Sequence, residues 1–182
     1  RSEDGTTFTP IGRFGGLTYT DYAVKSGMMY EYFVRAHNGS YADSLKRPMK
    51  IKYKGALLSE VNTPGDYIEI YKSDSDWFNN IKTKHTNESE LIKYEGRTYP
   101  VKESGIHKEF EIGTSFYLSN SNAEKIKILY GINGIYLFRN SEICFCCEIS
   151  GFDYENTLFN IGKNVEISLS RIDYSLEVRF DV

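Results

Sequence analysis

Alternation of apolar and polar side chains runs through much of the chain. Between residues 28 and 36, Met28, Tyr30, Tyr32, Val34 and Ala36 fall on one side of an extended segment. Met29, Glu31, Phe33, Arg35 and His37 fall on the other. The first set is apolar throughout, the period-2 signature of a half-buried strand. Asn38-Gly39 predicts the turn that closes it, and Asp4-Gly5 predicts a tight turn after an earlier strand end. Further strands are expected over 49–53, 67–71, 91–94, 97–101, 109–118, 134–138, 142–149, 165–172 and 176–180, separated by Gly, Asn, Asp and Ser. The stretch 73–90 is polar apart from Trp77, Phe78 and Ile81, and reads as a long excursion or a short helix. One helix is predicted near 122–130. Ser121 and Glu124 form a capping box, Ala123, Ile126, Leu129 and Tyr130 fall near one face, and Gly131 supplies the stop.

The texture changes around 43–48. Pro48 cannot donate to a ladder and suits a strand start or edge. The expected organisation is two domains, 1–46 and 47–182. The expected fold class is mainly β, with an α+β second part built as a mixed sheet with one short helix. No internal repeat of fixed period is visible. The chain starts without Met and reads from its first residues as the middle of something, so an upstream portion is expected.

Residues 21–36 carry the pattern Asp21-x-x-Val24-x-x-Gly27-x-x-Tyr30-x-Tyr32-x-Val34-x-Ala36. This resembles the penultimate strand of a fibronectin type III domain and the corner leading into it. The resemblance implies that Val24 plugs one end of a sandwich and that Gly27 permits the corner backbone. It implies that Tyr30 bonds back to upstream main chain through its hydroxyl, with Tyr32, Val34 and Ala36 facing the core. It covers about residues 1–45, roughly half such a domain, so either an upstream piece or another chain completes the sheet. It implies little about function.

Residues 96–174 follow a second recognisable order. Gly96-Arg97-Thr98-Tyr99-Pro100-Val101 comes first, then a strand ending Phe116-Tyr117-Leu118, then the capped helix. A hairpin follows, Gly134 to Asn140 with Asn140-Ser141 at its tip and Arg139 beside it, and a closing strand holds Arg171-Ile172-Asp173. This order is similar to sheet domains of bacteriophage tail and baseplate proteins. The resemblance implies a non-enzymatic structural protein of a virion, whose partners are copies of itself and other tail proteins.

Composition narrows the alternatives. The 182 residues include 15 Tyr, 11 Phe and 1 Trp, enough aromatic material for a strand-rich core. A net charge of −3 disfavours specific nucleic-acid binding as the main role. No apolar run approaches the ~18 residues that a membrane-spanning helix needs, so no membrane insertion is expected.

Candidate chemistry is sparse. Cys144, Cys146 and Cys147 include a Cys-x-x-Cys spacing. A second ligand pair is missing, and on a strand 144 and 147 face opposite ways, so core packing is the expectation. His37, His85 and His107 are scattered and read as surface residues. Asp74-Ser75-Asp76 starts like a calcium loop and then fails at Phe78. Gly12-Arg13-Phe14-Gly15-Gly16 lacks the context of a phosphate loop. Lys50, Lys52 and Lys54 share a strand face and read as a guard against edge pairing. Glu109, Glu111, Asp66 and Glu69 supply carboxylates without a visible cleft. No catalytic residue, cofactor or metal is therefore expected. Val24, Gly27, Tyr30, Tyr32 and Val34, with Glu124 and Arg139, are the expected structural positions. Tyr19, Tyr22, Tyr41, Tyr67, Tyr71, Trp77 and Phe78 are candidate exposed aromatics, with Trp77, Phe78 and Tyr71 the expected contact or ligand residues. They sustain an alternative: a secreted carbohydrate-binding or adhesin module, extracellular or at the cell surface, that takes a host-surface glycan.

Overall fold

Ile112, Thr114, Phe116 and Leu118 are buried on one side of a long strand, and Val165, Ile167 and Leu169 are buried on its neighbour. Val165 lies opposite Phe116, Ile167 opposite Thr114 and Leu169 opposite Ile112. Burying each large apolar side chain contributes about 1.5–3 kcal/mol, which fixes the register, because a one-residue slip would expose the whole set.

The computed structural model describes residues 1–71, 80–96, 98–157 and 162–174, with the backbone alone at 71, 80, 88 and 103–107. The fold is mainly β with one helix. In chain order the elements are β1 (Met29–Tyr32), β2 (Arg35–His37), β3 (Tyr41–Asp43), β4 (Arg47–Lys50), β5 (Ala56–Glu60) and β6 (Tyr67–Tyr71). Then come β7 (Asn80–Ile92), β8 (Val101–Ser119), α1 (Asn120–Ile132), β9 (Tyr136–Arg139), β10 (Cys144–Asn156) and β11 (Gly162–Arg171). The chain forms two compact units. One is Arg1–Asp74 with Leu137–Cys146 and Asp173–Val182, and the other is Ser75–Tyr136 with Cys147–Ile172.

In the first unit β1 pairs antiparallel with β4, placing Tyr30 opposite Met49. The expected boundary near residue 47 falls between β3 and β4, inside this unit. Strands β2 and β3 make a separate hairpin, with Arg35 opposite Asp43. Strands β6, β5 and β9 follow one another in hydrogen-bonded order, and the start of β10 comes next. Leu58, Ile70 and Phe138 supply the core here. Strand β5 has no counterpart among the predicted elements. Ala56, Leu57, Leu58 and Ser59 are all buried, so the segment has no exposed face to produce alternation.

The strand expected over 28–36 is two strands. The Val34 amide donates to the Ser44 hydroxyl at 2.9 Å, and the Ser44 amide donates to the Val34 carbonyl at 2.9 Å. These bonds clasp the base of the β2–β3 hairpin and divert the chain after β1. Val34 is consequently 55% exposed, not a core residue, and Ala36 is exposed with it.

In the second unit the rest of β10, then β11, β8 and β7, form an antiparallel order. Helix α1 contacts β8 and β11 and buries Ala123 and Ile126. The Tyr136 hydroxyl donates to the Leu129 carbonyl. The helix begins earlier than its expected cap. Ser119 is the N-cap, with extended backbone and its hydroxyl accepting from the Asn122 amide at 3.3 Å. The ladder with β11 runs to Ser119 itself, so the extended conformation a cap requires is already in place there. Glu124 therefore lies beyond the capping turn. It pairs instead with Lys127 at 3.4 Å and Lys163 at 3.9 Å. The helix ends at Asn133, in the left-handed conformation, two residues beyond the predicted stop at Gly131. Residues 80–90, expected within a polar excursion or helix, belong to strand β7, which runs on through Leu91 and Ile92, the start of the strand predicted over 91–94. The segment predicted at 109–118 lies within one strand, β8, of 19 residues, whereas of the strand predicted at 97–101 only Val101 belongs to it and 98–100 are not strand. The strand expected over 176–180 lies outside the described residues.

Candidate functional site

The corner before β1 is built from side chains that bond to main chain. Val24 is buried and Gly27 has φ +80, a conformation that a side chain would strain. The Tyr30 hydroxyl accepts from the Lys25 amide at 2.9 Å. The Tyr32 hydroxyl donates to Asp21 at 3.0 Å, and the same carboxylate oxygen binds the Arg1 guanidinium at 2.9 Å. Burial and the Asp21 charge push the Tyr32 phenol well above its ordinary range. Tyr53 closes the corner from below, donating to the Val24 carbonyl at 2.9 Å, and burial pushes its phenol up to about 12.

Arg139 follows the same pattern at greater depth. It is 4% exposed and donates to the carbonyls of Tyr22 at 2.6 Å and Pro64 at 3.1 Å. Its guanidinium lies 5.6 Å from the Tyr22 ring centroid and 5.8 Å from that of Tyr67. The Nε–H has no acceptor among the described residues. Asn140 closes the adjacent turn through its carboxamide oxygen, which accepts from the Glu142 and Ile143 amides at 2.8 Å each. The sequence placed Arg139 beside this hairpin. Its two carbonyl partners, 117 and 75 residues away, have no local signal.

Chemistry is thin elsewhere. The three cysteines form no disulfide, Cys146 and Cys147 are buried, and burial raises the Cys144 thiol to about 12. Among the described residues no group of three or more His, Cys, Asp or Glu could hold a metal. His85 packs edge-on against Phe110, and His37 lies 4.7 Å from the Tyr41 ring. Glu111 pairs with Lys84 at 3.7 Å. Of the aromatic candidates, Tyr41 is 71% exposed and Tyr67 about half exposed, while Tyr19 and Tyr22 are partly buried. Trp77 and Phe78 lie outside the described residues, as does Asp74-Ser75-Asp76. Tyr71 is described only as backbone in β6.

Two exposed surfaces stand out. The first is the β7–β8 ribbon. Strand β7 pairs with β8 from Asn80 opposite Ser115 to Ile92 opposite Val101, whereas β11 covers β8 only from Glu111 to Ser119. The outer half of the ribbon, residues 101–110 and their β7 partners, has no third strand among the described residues. Leu91 is 64% exposed and Tyr99 80% exposed at its end. The second is the segment 34–52, in which every residue is exposed although most are in strands.

No known protein family matches the chain, and no curated protein does. Among solved structures, a chain of the tail of an empty gene transfer agent particle, refined helically with C6 symmetry, aligns at 9% identity and a TM-score of 0.43. It covers 65% of this chain and 90% of its own length. A chain of a native gene transfer agent virion aligns at 9% identity and a TM-score of 0.41, covering 65% and 92%.

Proposed function

We propose that the chain is a non-enzymatic structural component of a phage tail or baseplate, located in the virion. It acts by oligomeric assembly through sheet edges and aromatic contacts, with copies of itself and other tail proteins as partners. The carrying observation is the outer half of the β7–β8 ribbon. A two-stranded antiparallel ribbon is marginal in water by itself, and a third strand or a packed face is what stabilises it. Here both are absent among the described residues, and Leu91 and Tyr99 stand exposed at its end. A neighbouring copy supplies the missing cover, and a repeated head-to-tail contact of this kind closes into a ring when the rotation allows. In this reading residues 1–46 are the C-terminal part of a fibronectin type III-like sandwich. The Tyr30–Lys25 bond, buried Val24 and left-handed Gly27 support it. Residues 47–182 are the tail-type domain.

Light scattering coupled to size exclusion tests the proposal on the full chain. A defined oligomer is expected, reduced to monomer by Leu91→Asp with Tyr99→Asp. A chain that stays monomeric at every concentration overturns it.

A further inference from the structure

The exposed segment 34–52 is strongly basic in a chain of net charge −3. Arg35 is neutralised by Asp43 through two hydrogen bonds of 2.7 and 2.8 Å. Lys46, Arg47, Lys50 and Lys52 have no carboxylate partner among the described residues. Met49 and Ile51, each about half exposed, lie between them, and Leu45, 77% exposed, comes just before. The Lys46 ammonium lies 4.4 Å from the Phe8 ring centroid. Four cations interleaved with bare apolar side chains are an ill-suited free surface and a well-suited contact surface.

The second unit carries the opposite charge. On the polar face of β10 and β11, Asp153 lies directly opposite Glu166, with Glu155 two residues along the same strand. Glu148, opposite Ser170, continues the row on that face. All four carboxylates are exposed, and none has a cation partner among the described residues. Like charges directly opposite across a ladder are destabilising, so this arrangement costs the isolated subunit stability. Asp153 and Glu166 also line a recess over Gly113, Gly151 and Ser168, which Lys82 lines with them.

We propose that the basic segment of one copy docks on the acidic row of a second copy. The inference rests on the assembly reading above and names the surfaces of a contact separate from the ribbon. Length agrees as well as charge. At about 3.3 Å per residue, Lys46 to Lys52 spans roughly 20 Å, and Glu148 to Glu155 spans a similar distance. Contact relieves the Asp153–Glu166 repulsion. Because the two surfaces differ, the contact is head-to-tail and propagates.

Charge reversal tests it on the full chain by sedimentation velocity at low and high salt. Lys46→Glu, Arg47→Glu, Lys50→Glu and Lys52→Glu together should weaken self-association at least about tenfold. Asp153→Lys, Glu155→Lys and Glu166→Lys together should do the same. The chain carrying both sets should recover association, and an equimolar mixture of the two reversed chains should associate. High salt should weaken the unaltered chain and leave each single-set variant unchanged. Circular dichroism checks that each variant is folded. Failure of the doubly reversed chain to recover overturns the proposal. Reversed chains that associate normally, while Leu91→Asp with Tyr99→Asp abolishes association, overturn it and leave the assembly reading standing. Loss of binding to duplex DNA or anionic vesicles without loss of self-association also overturns it. An unaltered chain that never associates overturns both.

Discussion

The Tyr30 hydroxyl accepts a hydrogen bond from the Lys25 amide, five residues upstream, at 2.9 Å. One side chain thereby holds both arms of the corner, since its ring is buried in the first unit while its oxygen secures the approach to Gly27. The two contributions separate experimentally. Tyr30→Phe keeps the ring and should cost about 1 kcal/mol, the net worth of one hydrogen bond. Tyr30→Ala should cost about 3–5 kcal/mol through the cavity it leaves. Urea titration of both variants gives the difference, and equal losses would show that the hydroxyl, not the ring, dominates.

Arg139 should tolerate no shorter cation. Lysine carries one point donor group and cannot reach the Tyr22 and Pro64 carbonyls together. Arg139→Lys should lose about 1–3 kcal/mol by leaving a buried carbonyl unpaired. Unchanged stability in chemical denaturation would mean that solvent already serves both carbonyls.

The helix start gives a paired test. Ser119→Ala removes the cap and should cost about 1 kcal/mol, while Ser121→Ala should stay within about 0.5 kcal/mol. Thermal melts that rank the two the other way would place the cap at Ser121.

Alkaline pH should destabilise the protein. Tyr32, Tyr53 and Cys144 all have raised folded-state pKa values, caused first by burial. A raised value means that stability is full below the unfolded pKa and falls as pH rises toward the folded one. The loss should therefore begin near pH 9 and deepen up to about 12, the value for Tyr53 and Cys144. Tyr32→Phe with Tyr53→Phe should flatten the slope of Tm against pH over that range, and an unaltered slope would assign it to other groups.

The same burial makes the thiols inert. Native protein at pH 8 should react with a thiol-specific disulfide reagent far more slowly than protein unfolded in guanidinium, which should release three equivalents, matching three cysteines outside any disulfide. Rapid native labelling of Cys144 would contradict its shielding.

Periodicity is legible where a strand has one wet face and one dry face. Strands β8 and β11 were readable because Ile112, Phe116, Val165 and Leu169 alternate with polar neighbours. Both kinds of exception were missed, apart from Leu91 and Ile92 at the end of β7. β5 is buried from Ala56 to Ser59 and shows no polar face, while β7 is polar nearly throughout and shows no apolar one. Its pairing with β8 makes it a strand, and partners 9 (Ile92 and Val101) to 35 (Asn80 and Ser115) residues away leave no mark on local pattern. Val34 misled for a related reason. Its alternation with Tyr30 and Tyr32 continues past Tyr32, but the Ser44 clasp turns it outward. Of the candidate contact surfaces, the lysines at 50 and 52 were visible as a row, but not the carboxylates of Asp153 and Glu166, which only the β10–β11 register brings opposite each other.

The polar character of β7 has a consequence for how this protein can change length. Burial pins a register, and a strand wet on both faces lacks that pin. The pairing of β7 with β8 already shifts between Asn87 and Ser89. An added or lost residue there rearranges solvated side chains, whereas the same change between Ala56 and Ser59 would turn the core inside out. Insertions and deletions among variants of this chain should therefore accumulate in the ribbon and be purged from β5.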